Sequence, residues 1–459
     1  MIEKSNFIGA HTEDIEKYYK FIKDLGHGSY GKVFRIQNIA TGDVYACKKF
    51  DKKHLKNKNR INTEINLLRA TDHPNIIKLY EIYEDFTSLY LVMEECNGGE
   101  LLQRLSKNAK NHKNYNEKDA AKIMKQILES VNYLHFHGVC HRDLKPENIL
   151  FSSMSDDFEI KLIDFGLSKV FAENNTIMKG SVGTLYYMAP EVIYGIYNEK
   201  CDVWSCGVIL YMLLCGVPPF FSLNEEELKR KIFNFDYNFE YSVFDKVSSD
   251  AKELIKRIFV VPEDRPSISD LLNTSWIKEN APNSSNESLQ IDWNHIKKYC
   301  KLNLVQKSII NFAAFHLTAT ETKEYVEKFK QIDENSDGVL TYEELKHAVK
   351  KLNIGIKEKD LYEIYREADI DKNGLINYTE FLSALIDYEK AIKKERLLEC
   401  FKNYDADKSG KINFKEFCEM IKPQNEQEKK DLRELYNQFD YNKDGEIDIN
   451  EFIDGYKKM

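Results

Sequence analysis

Breakers and staples are scarce in this sequence. Its 459 residues include 9 Pro and 20 Gly, too few for collagen-like or linker-like material. The nine cysteines, Cys47, Cys96, Cys140, Cys201, Cys206, Cys215, Cys300, Cys400 and Cys418, are scattered and odd in number, with no C-x-x-C pair. That excludes a disulfide framework or a zinc-ligand pattern and sets a reducing compartment as the expectation. Long apolar runs are missing too. Val203 to Asn224 carries no charge, but Pro218 and Pro219 cut it to about 15 residues. At 1.5 Å each these give some 22 Å, short of the ~30 Å hydrocarbon layer, so it reads as a buried core helix. Met1-Ile-Glu-Lys-Ser-Asn lacks a signal peptide's apolar core, and Ile2 stands where N-myristoylation needs glycine. A cytoplasmic protein without a transmembrane segment is expected.

Basic charge is not in excess. The net charge is -9, and Glu321 to Met459 carries 33 acidic against 25 basic residues. An acidic C-terminal third argues against nucleic acid as partner and for cations. With 42% hydrophobic and 12% aromatic residues, real cores are available, and the length suggests about three domains.

The first 280 residues open with strand-like runs, Lys20 to Leu25, Val33 to Gln37, Val44 to Phe50 and Leu89 to Met93. A helix with apolar spacing at Ile123, Ile127, Val131 and Leu134 follows, within Ala120 to His137. The composition turns to loop near Ala281-Pro-Asn-Ser-Ser-Asn-Glu-Ser. Beyond it the chain repeats, with starts at Asp333, Asp369, Asp405 and Asp440, separated by 36, 36 and 35 residues.

Gly26, Gly28, Gly31 and Val33 form G-x-G-x-x-G-x-V, a pattern shared with dinucleotide-binding turns. Here the glycines precede a strand and a turn, so a phosphate-cradling β-hairpin is expected instead of a helix. Ala46 and Lys48 share one strand face, and Glu64, on a helical run, is a candidate partner for that lysine. His141-Arg-Asp-Leu-Lys-Pro-Glu-Asn148, Asp164-Phe-Gly166 and Ala189-Pro-Glu191 then supply the positioned charges that phosphoryl transfer needs. These are a carboxylate for the nucleophile's proton, a cation for the transferred group, and an amide carbonyl with a second carboxylate for a metal.

In that order and spacing, residues 21–277 resemble a eukaryotic protein kinase domain of the serine/threonine class. The resemblance implies Asp143 as catalytic base, Lys145 on the γ-phosphate, and Asn148 with Asp164 on magnesium. Lys48, paired with Glu64, would hold the α- and β-phosphates of ATP. Leu25, Gly26, His27, Gly28, Ser29, Tyr30, Gly31, Lys32 and Val33 would cover the nucleotide. Ala46, Met93, Glu94, Cys96 and Glu100 would line the rest of its site, Met93 gating the back and Glu94 to Cys96 forming the hinge. Glu191 and Arg265 resemble the structural ion pair of the kinase scaffold. Thr176, Ser181 and Thr184 are activation-loop hydroxyls.

Each repeat fits a 12-residue loop with aspartate at position 1, acid, amide or serine at 3 and 5, glycine at 6 and glutamate at 12. Calcium takes about 6–8 oxygens, which such a loop delivers. The ligand sets are Asp333, Asn335, Asp337, Val339 and Glu344; Asp369, Asp371, Asn373, Leu375 and Glu380; Asp405, Asp407, Ser409, Lys411 and Glu416; and Asp440, Asn442, Asp444, Glu446 and Glu451, position 7 through its backbone carbonyl. Loop four has four charged ligand side chains (Asp448 included) and the others three. Loop three, with Ser409 at position 5, is the nearest to degenerate.

Between the halves, Trp293 to Thr320 carries four lysines and no acid, with Leu302, Val305, Ile309 and Phe312 at helical spacing. One basic amphipathic helix, from about Trp293 to Leu317, is expected there, of the kind an EF-hand lobe captures. Kinase, basic helix and four EF-hands together resemble the calcium-dependent protein kinases of plants and apicomplexan parasites. The expected fold is α+β: a bilobal kinase at 21–277 after an N-terminal extension 1–20, a linker and regulatory helix at 278–320, and an all-α module of EF-hand pairs at 321–388 and 389–459. The expected activity is calcium-switched transfer of the ATP γ-phosphate to protein Ser/Thr hydroxyls, by a monomer using magnesium and calcium. The alternatives are a calcium-sensing scaffold with an inactive kinase fold and, more weakly, a calcium buffer.

Overall fold

Six strands make the N-terminal sheet, in the order β1-β5-β6-β4-β3-β2: β1 (Gly9–His11), β2 (Tyr19–Gly28), β3 (Gly31–Asn38), β4 (Val44–Asp51), β5 (Leu79–Glu84) and β6 (Ser88–Met93). The structure is a computed structural model that describes residues 7–28, 31–54, 58–111, 113–155, 158–171, 178–180, 182–282, 291–351, 355–388, 392, 394–423 and 425–457. Ser29, Tyr30, Thr176, Ser181 and the Ser/Asn-rich stretch of the linker lie outside these residues.

Glycine pairing Gly28↔Gly31 closes the β2–β3 hairpin, so a strand follows the glycine motif, as its flanking pattern requires. β4 is central, with Ala46↔Met93 and Lys48↔Leu91 as register partners. One sheet face packs over Tyr19, Ile36, Cys47, Tyr83 and Val92, and the other joins the main core through Phe50, Leu79 and Leu91. Sequence periodicity does not reveal β1 or β5. β1 pairs parallel with β5, so part of the N-terminal extension belongs to the sheet, and Phe7 beside it packs on Phe312 and Phe315.

The helical lobe is built round two helices. Glu117–Phe136 starts where the Asn116 side chain accepts from Asp119 N. The charge-free stretch forms Lys200–Cys215, buried from Cys201 to Leu214 and ended by Gly216 at φ 84°. Among the described residues no helix is long and apolar enough to cross a membrane.

The connection between the halves differs from the single helix expected. It is two helices, Trp293–Cys300 and Leu304–Phe315. Asn303 breaks it: its side chain accepts from Gln306 N at 3.0 Å while Gln306 Oε1 accepts from Asn303 N, a capping box. Nor is the second helix a basic surface helix. Val305, Ile309 and Phe312 are buried in the common core, and buried Lys307 donates to Glu367 at 2.6 Å. Ser308 meets the Tyr404 hydroxyl at 3.1 Å, and Ser383 Oγ donates to Asn311 Oδ1 at 2.7 Å, so both EF-hand pairs hold this helix.

Candidate functional site: catalytic cleft and calcium loops

Asp202, at the buried start of Lys200–Cys215, sets the catalytic segment. Its carboxylate accepts from His141 N at 2.8 Å, Arg142 N at 2.9 Å and His135 Nε2 at 2.9 Å. Burial opposes that charge, yet the His135 bond and the neighbouring histidines and amide hold its pKa below the ordinary value. The anchoring keeps Arg142 at φ 68°, and Asp164 stands at φ 64°. Both are costly for non-glycine residues and are held by their surroundings. Arg142 itself donates to Leu167 O at 2.6 Å and the Tyr197 hydroxyl at 3.1 Å.

Around Asp143 the sequence-named groups converge. Lys145 Nζ donates to Asp143 Oδ2 at 2.7 Å and to Thr184 Oγ1 at 3.1 Å, and Thr184 in turn donates to Asp143 Oδ1 at 3.4 Å. Asn148 Nδ2 donates to Asp143 O at 2.8 Å and Oδ2 at 3.3 Å. With its N–H groups so used, the Asn148 carbonyl oxygen is the atom left for a cation, which fits a magnesium ligand. Across the cleft Lys48 pairs with buried Glu64 at 2.5 Å. Burial pushes the Glu64 carboxyl up, Lys48 pulls it down and Asp164 pushes it up again, so the three charges share one field. Phe165, next to Asp164, is fully buried against the His141 ring at 5.3 Å.

Not every expected nucleotide residue is gathered there by a bond. Glu94 is tied in a buried pair to Lys161 at 2.8 Å, and Glu100 precedes the helix Leu101–Lys110 beside Glu147, its carboxyl raised by burial and that neighbour. Arg265 and Glu191 pair at 2.5 Å in the scaffold. Sequence reasoning assigned no role to Lys161 and missed what Asp202 does. Asp202-Val-Trp204 belongs to the strings that carry the kinase resemblance, but the string does not say what the acid holds.

The four loops share one local geometry. The position-6 glycines stand at φ 79° to 91°, and Ser336, Lys372, Lys408 and Lys443 at position 4 also have positive φ. Each glycine N–H donates to the position-1 aspartate at 2.8–3.0 Å. Loops pair across each module, Leu340 with Ile376 and Ile412 with Ile447. Every position-12 glutamate accepts from position 9, as Glu380 does from Asn377 N at 3.0 Å and Glu451 from Asp448 N at 3.0 Å. Carboxylate oxygens of Asp369, Asp371 and Glu380, and of Asp405, Asp407 and Glu416, lie within 4.8 Å of one another. In loop four, Asp440 Oδ1 is buried with no hydrogen-bond partner among the described residues. A hard cation fits all of this.

The first pair is fastened to the kinase. Thr379 N and Oγ1 donate to the two oxygens of buried Asp72, each at 2.9 Å. Asn132 Nδ2 donates to Ser336 O at 2.8 Å, and Lys330 pairs with Glu129 at 2.8 Å. Lys78 Nζ donates to Phe315 O at 3.3 Å.

Residues 19–277, more than half of the chain, match the protein kinase domain, and the chain belongs to that family. Residues 323–386 and 394–457 each match the EF-hand domain pair, and relatives that combine these features are named calcium-dependent protein kinases. The chain is 41% identical over 360 residues to calcium-dependent protein kinase 5 of Plasmodium berghei (strain Anka), covering 77% of this chain and 63% of that one. It is 42% identical over 357 residues to calcium-dependent protein kinase 4 of the same organism, covering 75% and 66%. To calcium-dependent protein kinase 14 of Arabidopsis thaliana it is 39% identical over 354 residues, covering 76% and 66%. The chain thus spans somewhat less than two thirds of the length of these curated relatives.

Proposed function

We propose that the chain is a calcium-activated serine/threonine protein kinase. The observation that carries this reading is the tie between the two halves: the helix Lys58–Ala70, which bears Glu64, runs into Asp72, the residue clasped by Thr379 of the second EF-hand. Asp143 accepts and orients the proton of the attacking hydroxyl. Lys145, already bonded to it, neutralises charge on the transferred phosphoryl group. Lys48, held straight by Glu64, positions the ATP phosphates, and Asn148 and Asp164 are the ligands offered to magnesium. Magnesium held by these two residues would supply positive charge against the ATP phosphates.

Kinase residues that touch the EF-hands and the connecting helix, Asp72, Lys78, Glu129 and Asn132 among them, are outside the catalytic set. This supports a brace behind the kinase over a plug in its cleft. Calcium bound in the loops favours the arrangement in which Thr379 holds Asp72, and through it the helix that aligns Glu64.

Phosphate transfer to a Ser/Thr peptide, measured with calcium and with chelator, tests the reading. Calcium-dependent turnover is expected, and Asp143→Asn or Lys48→Met should abolish it while calcium binding persists. Absence of turnover in both conditions would favour the inactive scaffold. A chain ending at Asn280 separates brace from plug: it should be inactive, and constitutive activity would overturn the brace.

A further inference from the structure

Behind β5 is a cavity of about 540 Å³ that lies apart from the catalytic residues and meets the four loops only at Asp405 and Lys408 of loop three. Its walls come from the N-terminal segment, the sheet, the helix Leu304–Phe315 and the helix Lys394–Tyr404 with the start of loop three. Small-molecule sites typically measure about 300–1,000 Å³ and combine apolar or aromatic walls with a few polar groups.

Six of its rings form an unbroken band. Tyr83 meets Tyr19 at 6.0 Å, Tyr19 meets Tyr45 at 5.9 Å and Tyr45 meets Tyr80 at 5.3 Å. Tyr80 stacks on His316 at 5.4 Å, and His316 meets Phe312 at 4.2 Å. The faces of such rings carry negative potential and attract cations.

The polar groups lining it include two carboxylates beside the band, Glu81 and Glu399, and three lysines, Lys17, Lys402 and Lys408. Glu81 accepts from the Tyr19 hydroxyl at 2.8 Å, and Glu399 from Asn38 Nδ2 at 3.5 Å. Among the described residues no cation pairs with Glu399. The basic side chains nearby are engaged elsewhere: Lys408 with Glu13 at 2.9 Å, Lys402 over the Tyr18 ring, and Arg396 on His316 O at 2.5 Å and Glu321 at 3.5 Å. His11, 3.9 Å from Glu81, is held below its ordinary pKa by burial, so it is a poor counter-ion. Burial and the neighbouring Glu81 push the Glu399 carboxyl up to about 7, outweighing the pull of Arg396 and Lys402 in the other direction.

We propose that this cavity binds a small organic cation, an ammonium group on an apolar body, with the ring band against the body and Glu81 and Glu399 against the charge. The site is separate from the kinase reading and stands whether or not the catalytic cleft turns over. Its ligand would touch the sheet, the N-terminal segment and the leading helix of the third EF-hand together.

Tryptamine and its uncharged analogue tryptophol are the probes, titrated calorimetrically into the full chain with calcium and saturating ADP, so that the nucleotide cleft is filled. Tryptamine should bind one saturable site at least about tenfold more tightly than tryptophol, roughly the effect of one desolvated cation contact. Glu399→Gln and, separately, Glu81→Gln should each remove about that tenfold advantage and leave tryptophol binding within twofold. Calcium titration of each variant certifies its fold, and either one alone suffices for the comparison. Equal affinity for the two probes, no saturable tryptamine binding at millimolar concentration, or undiminished tryptamine binding by a folded variant would overturn the proposal.

Discussion

The two EF-hand pairs carry the same loop in unlike surroundings. Loop one lies on the kinase so closely that a Cβ added at Gly338 would come within 2.5 Å of Tyr133 and 2.8 Å of His73. The second pair reaches the kinase half through long side chains, Lys408 to Glu13 at 2.9 Å and Glu399 to Asn38 at 3.5 Å. Electrostatics follow the burial. Asp333, Asp337, Asp369 and Glu380 are all held above the ordinary carboxylate range by burial first, Asp333 up to about 8. In the second pair, hydrogen bonds from Ser409 lower Asp407, and one from Lys411 lowers Asp444. One ligand pattern therefore sits in two settings: burial raises four carboxyls of the first pair, while in the second pair hydrogen bonds lower Asp407 and Asp444 at its more exposed positions.

The sharpest break in this contrast is Asp72→Ala. It leaves Thr379 with two buried donors unmatched, at a cost of about 1.5–3 kcal/mol for a charged bond. Calcium-stimulated turnover should fall on the order of tenfold or more, while calcium binding by the second pair stays as it was. Peptide phosphorylation and calcium titration on the same preparation would check this, and unchanged stimulation would remove the clasp from the mechanism.

Within the second pair, charge count ranks loop four above loop three. Glu451→Gln should therefore lose more calcium affinity than Glu416→Gln, with about 10- to 100-fold expected for one charged ligand group. A larger loss at Glu416 would reverse the ranking.

Acidity should separate the pairs next. A carboxyl with a raised pKa stays protonated in the calcium-free fold, and the cation must displace that proton. For Asp333, the stability gained by the protonated form is present at low pH and lost as pH rises through about 8. Calcium affinity of the first pair should then weaken by about tenfold per pH unit on going from 8 to 6, for one displaced proton, and the second pair should hold nearly constant. Titrations at several pH values with one pair disabled would show equal slopes if burial is not the cause.

The smallest effect concerns Lys411, which offers its carbonyl to loop three while its ammonium pairs with Asp444 of loop four at 2.8 Å. Lys411→Met should tighten loop four a few-fold, in line with about 0.2–1 kcal/mol for an exposed pair. Weaker binding would show that the lysine orders Asp444 and does not compete for it.

Local chemistry was readable without coordinates because it is written at fixed spacing. The glycine hairpin, the Asp143 to Asn148 run and four loops at near-constant period each concentrate their meaning within a dozen residues. The stop at Asn303 was also spelled out, by Gln306 three residues on, but apolar spacing on both sides reads through it. Other features have no such signal. Asp72 and Thr379 lie 307 residues apart, and neither residue type stands out where it occurs. β1 is three residues long, below any useful periodicity, and a cavity walled by four separated segments has no linear pattern at all.

That short first strand bears on how the chain is made. Phe7 rests on Phe312, so the N-terminal segment leaves the ribosome about 300 residues ahead of the helix that covers it. At typical synthesis rates of about 5–20 residues per second, the delay is roughly 15 to 60 seconds. For that time Phe7 beside the first strand, and the Tyr80 face of the sheet, wait without their final cover. A nascent kinase lobe can be assembled long before it is sealed, and its solubility in that interval falls to whatever shields the uncovered aromatic face.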